Sequence, residues 1–388
     1  MKLLIVSHVI HFEHHNKLYA YGPYAREIDL WADLFPEVCI SCPLRKQTPP
    51  RDSVAFSRPN ISILPLLEAG GETLGAKLKL AALTPVIMWD LAKAMLWADA
   101  IHVRCPGNIG LIGAAMAPLF SRNLVAKYAG SWQEMPGDEF TTKLQRALLR
   151  KWFKGPVTVY GEWPGEPAHI TSFFTSLTSE EHMNRARRAA ARRQPSGEVR
   201  VLFTGRLSKA KNIDSLLEAA ARARQQGAPI RCTIVGEGPE RSELEALARR
   251  LGIQPYVHFT GGVDFESVLQ QLEQSDALVL TSESEGWPKA VAEGMAFGLV
   301  CIGSDRGFVK KMLEGRGIAL PPRDVEALTA AFLDLARDPA KHDQMRMEAA
   351  AWAQQFSMEG LREAIRALLE KHWSVQLPPL PLRETANG

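Results

Sequence analysis

Cysteine is scarce, with five residues in a chain of 388. An odd number at this length excludes a disulfide framework and favours a reducing compartment. Cys39 and Cys42 form one Cys-x-x-Cys in "EVCISCPL". With no second pair for zinc and no redox-type helix start behind it, the pair reads as core cysteines at the end of a strand. Charge of one sign is also in short supply: the net charge is only +3, too little to argue nucleic-acid binding from composition. Long apolar runs are lacking too. The best candidate, "LAALTPVIMWDLAKAMLWADAIHV", is interrupted by Asp90, Lys93 and Asp99, so the expectation is that no segment crosses a bilayer. The opening "MKLLIVSHVI" carries no small-residue cleavage site and reads as a first strand rather than a leader. Fixed-period repeats and low-complexity tracts are absent, and 46% hydrophobic with 23% charged residues is ordinary globular composition.

What is there is an alternation. Short β-rich runs such as "LLIVS" (3–7), "VCIS" (38–41), "IHVR" (101–104), "LVAKY" (124–128) and "VTVY" (157–160) are separated by helical stretches. A second series follows "RRQPSGE": "VRVLFTG" (199–205), "RCTIVG" (231–236), "VHFTG" (257–261), "ALVLT" (277–281), "LVCIG" (299–303) and "GIAL" (317–320). Strands alternating with helices predict parallel sheets wrapped by helices. The fold class expected is α/β, with two Rossmann-like doubly wound domains. The first covers 1–183, an arginine-rich linker 184–198, the second domain 199–350, and a C-terminal helix that packs back on the first domain, with a proline-rich tail, covers 351–388. Ligands of doubly wound sheets bind at the carboxyl ends of the strands, so two such domains facing across a cleft place function there.

Two stretches carry chemistry. In "FTGRLSKAKNID", Gly205 permits a close turn at the end of a strand, Arg206 follows, and Lys211 precedes a helix beginning near Asn212. A guanidinium fork, an ammonium and backbone N–H groups at a helix start make a diphosphate site. In "TSESEGWPKAVAEGMAFG" (281–298), Pro288 suits the first turn of a helix whose Ala and Gly residues allow close approach to the sheet. Glu285 sits on the loop before it and Glu293 two turns along, both acceptors for sugar hydroxyls. Gly236 and Gly238 in "VGEGPE" lack the third glycine of a dinucleotide fingerprint, since Arg241 stands there, and read as a tight strand-to-helix turn near the nucleotide.

Taken in order, "GRLSKAKNIDSLLEAAA", "CTIVGEGPERSELEALARRLGI", "VHFTGGV" and "SESEGWPKAVAEGMAFG" resemble the C-terminal half of a family 4 glycosyltransferase of the GT-B fold, one of the glycosyl transferases of group 1. The resemblance covers 199–340. It implies a retaining enzyme in which Arg206 and Lys211 hold the donor diphosphate, Glu285 the transferred sugar and Glu293 the ribose. Backbone groups of Gly286, Trp287, Pro288 (its carbonyl only) and Lys289 would line sugar and phosphate. Where the family often has two glycines after the first strand, this chain has Gly22 followed by Pro23, in a loop with His8, His11, His14 and His15. Arg104 and Ala129 stand where histidines are common, leaving His102, Arg104 and Lys127 as the candidate acceptor or sugar contacts.

The function expected is transfer of a hexose from a nucleoside-diphosphate sugar to an acceptor hydroxyl, on a saccharide or lipid-linked saccharide of surface-polysaccharide assembly. Arg206, Lys211 and Glu285 form the catalytic set. No resident cofactor and no metal are expected, because an Asp-x-Asp pair is missing and the cations stand in for Mg²⁺; the donor is a co-substrate. Alternatives are a nucleotide-sugar epimerase of the same architecture and a non-catalytic nucleotide-sugar binder. Two basic clusters, "KLQRALLRKWFKG" (143–155) and "RARRAAARR" (185–193), read either as solvated helix faces or as surfaces for anionic lipid. The expected location is cytoplasmic, with peripheral contact at the inner membrane face, and no nucleic-acid partner.

Overall fold

The computed structural model describes residues 1–50, 52–68, 74–134, 138–175, 178–192, 197–283 and 285–379. It divides into two compact units, one of residues 1–176 with 358–388 and one of 177–357.

The first unit runs β1 (Lys2–Val6), β2 (His11–His14), β3 (Lys17–Tyr21), α1 (Gly22–Ala32), β4 (Glu37–Arg45), β5 (Ser53–Ala55), β6 (Ile61–Leu66), α2 (Leu74–Trp97), β7 (Ala100–Cys105), α3 (Asn108–Met116), β8 (Asn123–Tyr128), α4 (Phe140–Lys151), β9 (Val157–Tyr160) and β10 (Ile170–Phe173). Its sheet has the order β10-β9-β8-β7-β1-β4, with β6 on β4 and the β2-β3-β5 ribbon also joined through β4. Strands buried on both faces need apolar residues at every position. β1 shows why: Leu3 and Ile5 enter one core with α1, while Leu4 and Val6 enter the other with α2, α3 and α4.

The second unit begins with α5 (Glu180–Arg192) and continues β11 (Val199–Thr204), α6 (Ile213–Gln225), β12 (Ile230–Val235), α7 (Arg241–Arg250), β13 (Val257–Gly261), α8 (Phe265–Gln274), β14 (Ala277–Leu280), α9 (Lys289–Ala296), β15 (Val300–Ser304), α10 (Gly307–Leu313), β16 (Ile318–Leu320), α11 (Val325–Arg337) and α12 (Asp343–Ala353). All six strands are parallel, in the order β13-β12-β11-β14-β15-β16. Counted within the unit this is 3-2-1-4-5-6, the doubly wound order, and its switch point lies between β11 and β14. The last helix, α13 (Met358–Trp373), belongs to the first unit. There Leu361, Ile365, Leu369 and Trp373 join the α1 core, and the Trp373 indole N–H donates to the Leu124 carbonyl at 3.1 Å.

Three expectations need correcting. Much of the segment read as linker, 184–198, is helical: it begins inside α5, whose Met183, Ala186 and Ala190 are buried, and whose Arg185 is held by Glu273 at 2.6 Å and Glu266 at 2.5 Å. Arg185 therefore braces a packed helix, while Arg188 and Arg192 are exposed; 193–196, like the tail from 380, lie outside the described residues. The histidine-rich loop is a hairpin, β2 against β3, turning at His15 and Asn16 with φ of 50° and 58°. The third concerns only the interruption of the apolar run, not the expectation that it does not cross a bilayer: in α2, Leu78–Trp97 forms a stretch of 20 residues long and apolar enough, by length and composition, to cross a membrane. Asp99 falls beyond the helix end, and Asp90 and Lys93 pair with each other one turn apart at 3.4 Å.

Candidate functional site

The site is built on the two loops that leave β11 and β14, the neighbours at the switch point of the second sheet. After β11 the chain turns through Gly205 at φ +151°, passes Arg206, makes a short 3-10 turn over Lys209–Lys211 and enters α6 from Asn212, itself left-handed at φ 51°. After β14 it passes Thr281, Ser282 and Glu283 to Glu285, then Gly286-Trp287-Pro288 leads into α9. Pro288 occupies the position just before the helix rather than inside its first turn.

Asn212 stitches these loops together. It is buried; its side-chain amide donates to the Thr281 carbonyl at 2.8 Å and to Glu283 Oε1 at 3.0 Å, and its Oδ1 accepts from Arg323 at 2.9 Å. Arg323 also reaches Asp214 at 2.7 Å, and the Glu283 N–H donates to the Ala210 carbonyl at 3.0 Å. The consequence is direct contact between Lys211 Nζ and Glu285 Oε1, an ion pair whose side chains are only 23% and 16% exposed. Among the described residues Arg206 is exposed and has no ion-pair or hydrogen-bond partner. Arg206 and Lys211 thus leave the same strand end, one unpaired and one held by a carboxylate.

The Gly-x-Gly of the β12 exit explains the stiffness of the Arg206 loop. Gly205 N–H donates to the Val235 carbonyl at 3.0 Å and Leu207 N–H to the Glu237 carbonyl at 2.9 Å. A Cβ at Gly236 would lie 1.9 Å from the Gly205 oxygen, and one at Gly238 2.1 Å from the Leu207 oxygen. The glycines let two backbones touch. Gly238→Ala is expected to push the Arg206 loop aside, costing about 1–3 kcal/mol of stability and weakening diphosphate binding about tenfold or more. Thermal denaturation and titration with nucleoside diphosphate check this; unchanged affinity contradicts it.

Other expected residues fall as follows. Glu293 is half-buried on α9 between buried Ala292 and Gly294. The Trp287 ring turns inward onto Phe308 and Trp352, with centroids at 5.2 and 6.3 Å, and the Lys289 N–H donates to the Trp287 carbonyl at 2.9 Å. Gly22 opens α1 in the first unit, its N–H donating to the Asp52 carbonyl at 2.9 Å. Sequence reasoning missed Asn212 and Arg323, and also Ser282, Ser304 and Asp305 at the ends of β14 and β15. Among the described residues the buried Oγ atoms of the two serines have no hydrogen-bond partner, while Asp305 Oδ1 lies 3.6 Å from Arg306 Nε.

In the first unit the candidate contacts His102, Arg104 and Lys127 come together, but around a residue the sequence did not flag. Glu27 of α1 is buried and accepts from Lys127 Nζ at 2.8 Å through both oxygens, with Arg104 at 3.4 Å. Burial opposes ionisation of Glu27; the two cations outweigh it and hold its carboxyl at about 2. His102 is fully buried, stacked on Trp31 with centroids 4.3 Å apart, and burial lowers it to about 3. Lys127 is therefore engaged by Glu27, whereas both ring nitrogens of His102 are buried with no hydrogen-bond partner among the described residues. Of the histidine cluster, His11 is buried, bonded to the Val9 carbonyl at 2.8 Å, and lowered by burial to about 4. Among the described residues no group of three or more His, Cys, Asp or Glu is placed to hold a metal ion.

Residues 184–352 match the family model described as Glycosyl transferases group 1. That match spans most of the second unit, residues 177–357. Alpha-D-kanosaminyltransferase from Streptomyces kanamyceticus is 28% identical over 191 residues, 48% of this chain and 50% of that protein. The chain spans half or less of the length of the curated relatives it matches. Over nearly its full length it is similar to sucrose-phosphate synthase (tll1590) from Thermosynechococcus elongatus, with TM-score 0.71, 21% identity and coverage of 96% of this chain and 99% of that one. Alr3699/HepE from Anabaena, crystallised with UDP and glucose, gives 0.67 at 17% identity, covering 95% and 99%. The fold is therefore GT-B, two Rossmann-like doubly wound domains.

Proposed function

We propose that the chain is a retaining glycosyltransferase that moves a hexose from a nucleoside-diphosphate sugar to an acceptor hydroxyl. The observation that carries the proposal is the contact between Lys211 and Glu285 at the switch point of the second sheet, with Arg206 unpaired on the adjoining loop. A carboxylate and an ammonium held together in the free protein are a site with two latent specificities. When a diphosphate enters, its oxygens compete with Glu285 for Lys211, and Arg206 adds a planar fork. Glu285 is then released to accept from the hydroxyls of the sugar attached to that diphosphate.

The chemistry follows from where charge develops. Breaking the anomeric C–O bond leaves the electron pair on the β-phosphate oxygen, and Arg206 and Lys211 meet that charge from positions fixed by Asn212 and the Gly236–Gly238 turn. Glu293 on α9 is assigned to the ribose, and the backbone of Gly286, Trp287, Pro288 and Lys289 to the sugar and phosphate. With two cations in that role the reaction proceeds without a metal ion, so chelation by EDTA leaves turnover unchanged. The Anabaena neighbour's complex with UDP and glucose supports a nucleoside diphosphate as the carrier. The acceptor assigned is a saccharide carried on lipid in surface-polysaccharide assembly.

The test is release of free nucleoside diphosphate from a panel of UDP-, GDP-, ADP- and dTDP-hexoses, with and without saccharide acceptors. Acceptor-dependent release with the sugar recovered on the acceptor is the expected result. A new sugar isomer formed from donor alone identifies an epimerase instead, and binding without turnover across the panel identifies a non-catalytic binder.

A further inference from the structure

We propose that the first unit rests on an anionic lipid bilayer through the outward side of its α2, α3 and α4 layer. This deepens the lipid-linked acceptor reading and rests on it only for the purpose of the contact; the surface itself is read from the first unit alone. α2 is apolar on both sides. Ile87, Leu91, Ala94 and Met95 face the core. Half a turn away, a helical stripe exposes Leu78 at 64%, Trp89 at 65% and Leu96 at 77%, with Val86 and Met88 beside it. A helix on a protein surface ordinarily turns polar residues to water, and this one exposes leucine and tryptophan.

Its neighbours continue the pattern. α3 packs between α2 and α4, and all three cover the same side of the sheet. Because the strands are parallel, each helix delivers its C-terminal end to the rim where the next strand begins. That rim gathers Leu96, Leu119 at 70% exposure and Trp152, whose indole N–H donates to the Ala115 carbonyl at 2.9 Å. On α4, Phe140 and Leu144 are also exposed.

The charge around these residues selects the partner. Lys79, Lys93, Arg122, Lys143, Lys151 and Lys154 are exposed on the same layer. Lys93 Nζ lies over the Trp89 ring, 5.3 Å from its centroid, a cation–π contact at the border of the apolar stripe. Asp90, the acid of α2, is already paired with Lys93. Aromatic and leucyl side chains bordered by lysines match an interface of acyl chains and anionic headgroups. The inner side of α2 shares a core with Leu4, Val6, Ile101 and Val103 of β1 and β7, so leaving to span the bilayer would empty that core. The helix lies on the membrane.

The full chain is to be co-sedimented with phosphatidylcholine vesicles with and without 30% phosphatidylglycerol, at low and high salt. Salt-sensitive binding to the anionic vesicles alone is expected. Trp89→Glu with Leu96→Glu should lower the partition coefficient about tenfold or more at an unchanged melting temperature, since both sites are exposed. Lys151→Glu with Lys154→Glu should weaken binding and flatten its salt dependence. A wild-type chain left in the supernatant, or undiminished binding by the Trp89/Leu96 variant, overturns the proposal. Retention through a carbonate wash shows a spanning helix and overturns it too, as does a dimer in light scattering that dissociates in that variant without vesicle binding. Donor-induced stabilisation measured on the same samples reports on the transfer reading independently, so the two can fail separately.

Discussion

Lys211→Ala is expected to lower turnover at saturating donor by a factor of about 10² or more, the scale of losing one preorganised charge contact at a leaving group. Arg206→Ala is expected to do the same. The two differ in what else they disturb. Arg206 is exposed and unpaired among the described residues, so its removal should leave folding stability within about 0.5 kcal/mol of wild type. Lys211 is the partner of Glu285, and its removal leaves a carboxylate largely out of water beside the vacated ammonium position. That carboxylate then repels an incoming diphosphate, so Lys211→Ala should raise the donor KM as well as lower kcat. Lys211→Gln with Glu285→Gln should restore donor affinity in part without restoring turnover. Steady-state kinetics on all three variants check this, and near-normal turnover in both alanine variants contradicts it.

The second large effect is on stability. Lys127→Met removes the ammonium that bonds both oxygens of buried Glu27 and leaves only Arg104, at 3.4 Å. Breaking a buried pair from one side costs about 3–5 kcal/mol, because the surviving charge has lost its compensation. For a unit of this size that is a fall in melting temperature of roughly 10 °C. Glu27→Gln combined with Lys127→Met should recover part of the loss, since no uncompensated carboxylate remains. Acid dependence supplies a second readout. Glu27 is held at about 2 against an ordinary 4.5, so its contribution is present above pH 4.5 and is lost as pH falls toward 2. His102 and His11, held neutral at about 3 and about 4 against 6.5, act earlier. The unfolded chain takes up their protons below pH 6.5 and stability falls from there. Melting curves between pH 7 and 3 should thus decline below 6.5, and a flat profile contradicts the buried placement of these groups.

The architecture was legible because strands of a doubly wound sheet are buried on both faces and show as apolar runs. The second unit was the clearer, since "VRVLFTG", "RCTIVG" and "ALVLT" are apolar but for Arg200, Arg231 and a few threonines and end at turn residues. "VIHFEHHNKLYAY" was harder: a short two-stranded ribbon with His11, Glu13, His14 and Lys17 among its apolar residues gives no apolar run, and it read as a loop. Pairing across the chain was invisible. Lys211 and Glu285 are 74 residues apart and Asn212 and Arg323 are 111 apart, so residue type could nominate the first pair for a ligand but could not show that they hold each other. Glu27 was missed for the same reason. On α1 it is one acid in an ordinary helical pattern, and only the fold brings Lys127, 100 residues on, against it.

The most direct measurement is a thermal-shift titration with UDP, GDP, ADP and dTDP on wild type, Arg206→Ala and Lys211→Ala. A ligand that binds only the native state raises the melting temperature with concentration. Capture of a diphosphate by the loops after β11 and β14 requires one of the four to stabilise wild type, with the effect reduced in Arg206→Ala and lost in Lys211→Ala. Equal stabilisation of all three proteins would place the nucleotide elsewhere and contradict the assignment.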